Sequence, residues 1–102
     1  MTADRDAASR APALRDNRDR EAHRYEYAIG DELGWVSYGR VDGVTTLSHA
    51  RVPAALAGRG VGSEMARQVL EAERARGAKV RATCSFLAAY LARHPEFDDL
   101  GA

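Results

Sequence analysis

Long apolar runs are absent from this chain of 102 residues. A membrane-spanning helix needs about 20 consecutive apolar residues, and the N-terminus lacks the apolar core of a signal peptide. A single cysteine, Cys84, excludes an internal disulfide and is typical of a reducing compartment. We therefore expect a cytoplasmic protein with no membrane partner.

An excess of charge of either sign is also missing. Fifteen Lys and Arg balance fifteen Asp and Glu, so the average charge gives no electrostatic reason to expect nucleic acid as a partner. The three histidines and the cysteine show no metal-site spacing, and we predict no bound metal. Apolar residues make up 45% of the chain, which suits one globular domain with a modest core.

The first 20 residues differ in composition from the rest. They are rich in Asp, Arg and Ala and nearly free of large apolar side chains, so they bury too little surface to offset the entropy of ordering them. We predict a flexible leader over residues 1–20 and a single domain over residues 21–102. The alternative is that order begins at Ala13, where Leu14 could pack.

Three runs after residue 21 have the pattern of β-strands. In the first, Tyr25, Tyr27 and Ile29 alternate with other residues, which is typical of a half-buried strand. The second run is LGWVSYGR and the third is VTTLSHARV, and an Asp-Gly hairpin signal separates them. Short turns between the runs predict an antiparallel three-stranded meander.

A helix is predicted next, over residues 60–76. Val61, Met65, Val69 and Ala72 recur on one face, and Gly77 follows as a stop signal. Beyond it, KVRATC has the composition of a short strand and SFLAAYLAR that of a second helix. The predicted fold class is therefore α+β, with the order β-β-β-α-β-α and a glycine-rich loop before the first helix.

That loop carries the most chemical information. It reads VPAALAGRGVGS, and its glycines, Gly58, Gly60 and Gly62, can adopt positive φ and let a ligand approach the backbone closely. The helix start behind it offers N–H groups without intrahelical partners and the positive end of the helix dipole. The loop is either an anion cradle or a turn that happens to be glycine-rich.

Two common phosphate loops are excluded. A P-loop needs Lys and then Ser or Thr after its last glycine, whereas Ser63 and Glu64 follow Gly62. A dinucleotide fingerprint counted from Gly58 needs its third glycine where Ser63 stands. What remains is a pyrophosphate held mainly by main-chain N–H groups, and coenzyme A is a ligand of that kind.

Two stretches carry a family resemblance. HARVPAALAGRGVGSEMARQVLEAERARGAKVRATCSF resembles the acyl-CoA-binding half of the GCN5-related N-acetyltransferase fold. RHPEFDDL, together with Cys-Ser-Phe after the last strand, resembles the small subgroup exemplified by N-acetyltransferase domain-containing protein 1. The likeness runs from about His23 to the C-terminus. It implies this compact fold and acetyl transfer from acetyl-CoA to an amine acceptor, either a small molecule or a protein.

The resemblance also implies which residues hold the acyl donor. The family loop, Q/R-x-x-G-x-G/A, begins here at Ala57, which is neither Gln nor Arg. The pyrophosphate is expected on residues 58–63, and the pantetheine arm on the backbone at the end of the third strand. The next strand is expected to splay away, which leaves the thioester near Cys84. The implied cofactor-binding residues are Arg51, Val52, Ala57, Gly58, Arg59, Gly60, Val61, Gly62 and Ser63.

The sequence departs from the family in its last helix. Many members of the superfamily have a Tyr there that protonates the departing thiolate. When Phe97 is aligned with the aromatic residue that closes the family motif, Ala92 occupies that position and Tyr90 lies two residues away. No residue is therefore assigned to this role, and Tyr90 is interpreted as a core residue.

His49 and Cys84 are the candidates for catalysis. His49 is a candidate base, because imidazole titrates near neutral pH and this one precedes the segment expected to bind pantetheine. The alternative is a structural hydrogen bond. At Cys84, the following helix start would favour a thiolate able to accept an acetyl group. The alternative is a small, buried and inert thiol.

Three functions are compatible with the sequence. An acetyl-CoA-dependent N-acetyltransferase is preferred. The alternative is a module that binds coenzyme A or acetyl-CoA with little turnover, which the missing Tyr and the short chain favour. A third possibility is an interaction domain that keeps only the fold. The sequence does not identify the acceptor, and it is compatible with a monomer or a weak homodimer.

Overall fold

A computed structural model describes residues 13–18, 23–56 and 58–102. Its strands form one sheet in the order of their numbers, with β1 to β4 antiparallel and β5 parallel to β4. The elements are β1 (Ala13–Asn17), β2 (Arg24–Ile29), β3 (Glu32–Val41), β4 (Val44–Arg51), α1 (Val61–Ala75), β5 (Lys79–Ala82) and α2 (Ser85–Arg93). Short 3-10 helices cover Ala54–Leu56 and Pro95–Leu100.

The α+β class and the predicted order of elements from β2 onward are confirmed, and the structure adds a fourth antiparallel strand. β1 lies inside the segment predicted as a flexible leader, and its Leu14 pairs with Tyr27. The alternative, that order begins at Ala13 and that Leu14 packs, is therefore confirmed, and the leader prediction is wrong for residues 13–17. Residues 1–12 and 19–20, the other part of that prediction apart from Arg18, lie outside the described residues.

One hydrophobic core lies between the inner face of the sheet and the two helices. The apolar stripe predicted for α1 is confirmed, with Met65 and Val69 buried and Val61 and Ala72 half-buried. The buried apolar residues of the core are Tyr25, Tyr27, Val36, Tyr38, Leu47, Met65, Ala66, Val69, Leu70, Val80, Leu87, Tyr90, Phe97 and Leu100. None of the described helices is long and apolar enough to cross a membrane.

A cluster of polar residues is buried beside the C-terminal half of α1. Glu73 is fully buried and accepts hydrogen bonds from Tyr25 Oη, Thr45 Oγ1 at 2.6 Å and Arg40 Nη2 at 2.7 Å. Arg40 Nη2 also lies 3.5 Å from a carboxylate oxygen of Asp16. Each of β1 to β4 thus contributes one residue to what we call the Glu73 cluster. Burial, followed by the bond to Glu73, raises the pKa of Tyr25, so its hydroxyl remains a donor.

A β-bulge interrupts β4. Ser37 pairs with His49 and Tyr38 pairs with Leu47, so Ser48 has no partner of its own on β3. An inserted residue reverses the alternation of side chains beyond it. The odd-numbered residues of β4 therefore point towards the core before the bulge and away from it afterwards.

A gap opens between β4 and β5 just beyond the bulge. Their pairing ends at Leu47 and Ala82. The N–H groups of Thr83 and Cys84 both donate to the carbonyl oxygen of Leu47, at 3.0 and 3.2 Å, and the chain then enters α2. Residues 48–51 therefore have no described strand on that side. β5 is shorter than the predicted run to Cys84, and the splaying of the two strands that the family resemblance implies stays a prediction.

Candidate functional site

A cavity of about 410 Å³ lies where β4 ends and α1 begins. It contains most of the residues predicted to hold the acyl donor. Arg59 is an exposed residue of the same loop, and Ala57 lies outside the described residues. The lining residues are Ala50, Arg51, Val52, Leu56, Gly58, Gly60, Val61, Gly62, Ser63 and Phe86.

The loop needs glycine at two positions for two different reasons. Gly60 is the N-cap of α1 and has a left-handed backbone with φ of 74°, where a Cβ would be strained. Gly62 lies inside the helix with no positive φ, so the freedom to adopt positive φ does not explain this glycine. A Cβ at Gly62 would lie only 3.1 Å from the Phe86 ring and 3.5 Å from Val52. Close packing therefore explains this second glycine.

The start of α1 presents its first-turn N–H groups to the cavity, and no described side chain caps them. Gly60 supplies no side-chain cap, so the first-turn N–H groups lack the partner that a Ser or Asp cap would give. The acidic residue of this turn, Glu64, is engaged by Arg67 and by Gln68 Nε2 at 3.0 Å. The hydrogen bond from Arg67 lowers the pKa of Glu64, so this carboxylate stays charged and balanced.

Two cationic side chains near the cavity have no partner among the residues that the structure describes. Arg51 and Arg59 are exposed, and their guanidinium groups make no hydrogen bond or ion pair within the parts of the chain that are described. Arg59 belongs to the loop itself, so together with the helix dipole it makes this end of α1 a favourable place for an anion. The Arg51 side chain lies on the opposite face of the sheet, because Arg51 pairs with the outward-facing Trp35.

His49 lies on the outer face of the sheet. It is exposed, and its Nδ1 is 3.5 Å from Ser37 Oγ, which in turn lies 3.1 Å from Ser48 Oγ. His49 is not among the described residues that line the cavity. It belongs instead to the side of β4 that the bulge turns away from the core.

Cys84 occupies the N-cap position of α2 and borders the gap. It is half-buried and packs against the hydrophobic core, and its N–H is tied to the Leu47 carbonyl. Like His49, it is absent from the described lining of the cavity. The structure therefore places the two catalytic candidates along the gap, apart from the glycine loop.

The tyrosine of the last helix, Tyr90, is not among the described residues that line the cavity. Tyr90 is buried and its ring stacks on His94 at 3.8 Å between centroids. Ala92 is exposed. The interpretation of Tyr90 as a core residue is confirmed, and no residue is assigned to thiolate protonation. Among the described residues, no group of three or more His, Cys, Asp or Glu is arranged to hold a metal ion.

Three lining residues were not predicted: Ala50, Leu56 and Phe86. Leu56 is buried at the end of its 3-10 helix. It is a large apolar residue between alanines in VPAALAG, and this contrast was a sequence signal that could have identified it as a lining residue. Phe86 reaches the loop from the first turn of α2. Its place in an apolar helix stripe concealed that contact, because the sequence does not show how α1 and α2 meet.

Comparisons with known proteins agree with this architecture. The sequence model of the family described as GCN5-related N-acetyl-transferase matches residues 24–100. No curated protein sequence matches the chain. Among solved structures, the chain is similar to the solution NMR structure of a "GCN5-like putative N-acetyltransferase" from Staphylococcus aureus. The identity is 25%, the TM-score is 0.66, and the match covers 88% of this chain and 87% of that one. The chain belongs to the GCN5-related N-acetyltransferase family.

Proposed function

We propose that this protein is an acetyl-CoA-dependent N-acetyltransferase that acetylates an amine on a small molecule or a protein. The observation that carries the proposal is the uncapped start of α1, which faces a cavity adjoining the gap beside β4. Family membership supports acetyl transfer. The assignment to the subgroup named above rests on RHPEFDDL, whose Phe97 and Leu100 are buried in the 3-10 helix that closes the chain.

The glycine loop is the proposed site of the coenzyme A pyrophosphate. Main-chain N–H groups of residues 58–63 would donate to its oxygens, and the exposed guanidinium of Arg59 would add charge. The unpaired edge of β4 at Ala50 and Arg51, with Val52 just beyond the strand, would bond the amides of the pantetheine arm as another strand would. Such an arrangement directs the thioester into the gap.

The proposed reaction is direct acetyl transfer. The amine nitrogen attacks the carbonyl carbon of the thioester; the new C–N bond forms, the C–S bond breaks, and coenzyme A leaves as a thiolate that takes a proton from solvent. His49 is proposed to accept the proton that the amine loses. The bulge leaves Ser48 without a ladder partner, and its N–H is the proposed donor to the developing oxyanion.

Cys84 has two candidate roles. Its packing against the core supports a role in shaping the gap, whereas its place beside the gap is compatible with a transient acetyl group on sulfur. Cys84→Ala separates the two. A large loss in kcat with unchanged acetyl-CoA affinity supports covalent chemistry, and a wild-type rate supports packing alone.

Ser63 provides a sharp test of the cradle. It is exposed at the third residue of α1, where a carboxylate stabilises the helix through its dipole. Ser63→Glu should therefore fold at least as well as wild type while repelling the pyrophosphate. We expect acetyl-CoA to bind at least tenfold more weakly by isothermal titration calorimetry, an effect on the order of 1.4 kcal/mol. Ser63→Gln is the neutral control of equal size and should bind within about threefold of wild type.

Unchanged affinity in Ser63→Glu contradicts the cradle. If acetyl-CoA binds but no amine in a broad panel is acetylated, as judged by release of the free coenzyme A thiol, the protein is instead a binding module. If the wild type does not bind acetyl-CoA, the protein shares only the fold of the family and not its ligand.

A further inference from the structure

The sheet face that turns away from the helices presents a small patch beside the gap. Residues directly opposite each other on antiparallel strands share a face, and the register aligns β2, β3 and β4 here. One row of side chains is Arg24, Ser37 and His49, and the next is Glu26, Trp35 and Arg51. We call these six residues the outer patch.

Cations dominate this face of the sheet. Among the described strand residues, Glu26 is the outward carboxylate. The outward cations are Arg15, Arg24, Arg51, Lys79 and Arg81. A face of this kind attracts an anion and repels an amine that carries positive charge alone.

The negative charge of Glu26 does not neutralise the other cations of this face, because its carboxylate is already bonded to neighbouring side chains. It accepts hydrogen bonds from Arg15, from Arg24 Nε at 2.8 Å and from Asn17 Nδ2 at 3.1 Å. The bond from Arg15 is the main reason that the pKa of Glu26 falls to about 2. Arg24 is also held over the Trp35 ring, 5.2 Å from its centroid. Both arginines are therefore engaged.

Arg51 differs from the other outward cations near His49. It is exposed and has no hydrogen bond or ion pair within the described part of the chain. It lies two residues from His49 on the same face, about 7 Å along the strand. On β5, Lys79 Nζ donates to the Asp99 carbonyl at 2.7 Å, and Arg81 lies opposite Thr46, before the bulge. Arg51 is thus the available cation next to both His49 and the gap.

We propose that the acceptor is an amine whose own molecule carries a carboxylate or a phosphate a few bonds away, and that Arg51 binds this anion while the amine lies at His49. The inference rests on the proposed function and specifies its acceptor class. In this arrangement the Arg51 backbone binds the acyl donor at the edge of β4, and the Arg51 side chain binds the acceptor on the outer face of the sheet. Trp35 is half-buried and lies directly opposite Arg51 in the register, so the part of its ring that Arg24 does not cover provides an apolar surface for the linking carbons.

The test uses acceptors that differ only in the anion. β-Alanine against β-alaninamide tests a carboxylate, and O-phosphoethanolamine against ethanolamine tests a phosphate. At saturating acetyl-CoA we expect kcat/KM to favour at least one anionic member by about tenfold or more. Raising the salt concentration should reduce that preference, because exposed charges are screened.

Variants localise the effect. Arg51→Gln should bring the ratio within a pair close to about one, and Arg51→Glu should favour the neutral member. Calorimetry with acetyl-CoA on the same variants reports donor binding separately. Arg93→Gln, an exposed arginine of α2, is the matched control and should keep the wild-type ratio.

A second readout works without turnover. Trp35 is the only tryptophan in the chain, so its fluorescence reports on the outer patch when acceptors are added to the protein loaded with coenzyme A. Saturable quenching by an anionic amine and not by its neutral partner supports the proposal. The proposal is overturned if kcat/KM is equal within both pairs or if Arg51→Gln keeps the preference. It is also overturned if neither the quenching nor the turnover is selective for the anionic amine. Binding of acetyl-CoA in those same samples shows that the proposed function stands independently.

Discussion

The two ends of α1 treat charge in opposite ways. At the C-terminal half, Glu73 is completely buried, and Tyr25, Arg40 and Thr45 all bond to it. At the N-terminal end the first N–H groups have no side-chain cap, and the loop's Arg59 has no partner among the described residues. One end is a closed network, and the other is open to solvent and to a ligand.

Solvation explains why both arrangements are stable. A buried charge without a partner costs several kcal/mol, so the Glu73 cluster is favourable only when complete. Donors and cations at the open end keep their water and lose little by having no protein partner. The closed end therefore fixes the helix on four strands, and the open end keeps its interactions for another molecule. Three experiments test this contrast, in order of decreasing expected effect.

Removing the centre of the closed end should have the largest effect. Glu73→Ala leaves Arg40, whose side chain is 19% exposed, without its main partner. We expect the free energy of unfolding to fall by about 3–5 kcal/mol in urea titrations. Glu71→Ala, two residues earlier on the exposed side of the same helix, is the control and should change it by less than about 0.5 kcal/mol. Equal effects in the two variants contradict the view that the cluster holds the fold.

A change in the loop backbone should have a smaller effect at the open end. Gly60→Ala places a Cβ on a residue with φ of 74°, which should cost about 1 kcal/mol of unfolding free energy. Gly39→Ala is the matched control, because Gly39 has no positive φ and a Cβ there would meet nothing within 4 Å. If Gly60→Ala is as stable as this control, the stability of the fold does not depend on a left-handed glycine at the N-cap.

Lowering the pH should reduce the free energy of unfolding more through a buried paired carboxylate than through an exposed one. The folded pKa of Glu26 is lowered from 4.5 to about 2. Its contribution to stability is therefore present above about pH 4.5 and is lost as the pH falls towards 2, because the unfolded chain then binds more protons. Glu26→Gln should remove part of the difference in unfolding free energy between pH 3 and pH 6.

Glu64→Gln is the comparison at the open end. The pKa of Glu64 is also lowered, mainly by Arg67, but its side chain is 43% exposed. Water screens an exposed ion pair of this kind, so the pH dependence should change less than in Glu26→Gln. A larger change in Glu64→Gln reverses the expected ranking of the two carboxylates.

Local patterns were sufficient to predict much of the fold. Alternation in RYEYAI and the spacing of apolar residues in α1 are visible within a few residues, and both elements are where they were predicted. β1 was missed because its sequence, ALRDN, places a charged residue on the inner face. Asp16 can point inward because Tyr38 and Arg40, more than 20 residues later, bond to it. No local pattern contains that information.

The candidate site was predictable to a similar extent. The glycine loop has a sequence signature, and the structure forms a cavity from it. The orientation of His49 has no such sequence signature. Regular alternation would place His49 on the same face as Thr45 and Leu47, in the core, and the bulge at Ser48 places it on the opposite face. Contacts such as Phe86 against Gly62 depend on how two helices meet and were equally out of reach.

The open stretch of β4 has a consequence for how the protein behaves in concentrated solution. Unpaired strand edges invite pairing with other copies and can nucleate intermolecular sheet growth. Here the edge is confined to Ser48 to Arg51, with a bulge at its start and Pro53 just beyond its end. Bulges and prolines are features that discourage edge-to-edge aggregation. A slot for a slender, amide-containing molecule can thus stay accessible without the open edge of β4 itself promoting fibril formation.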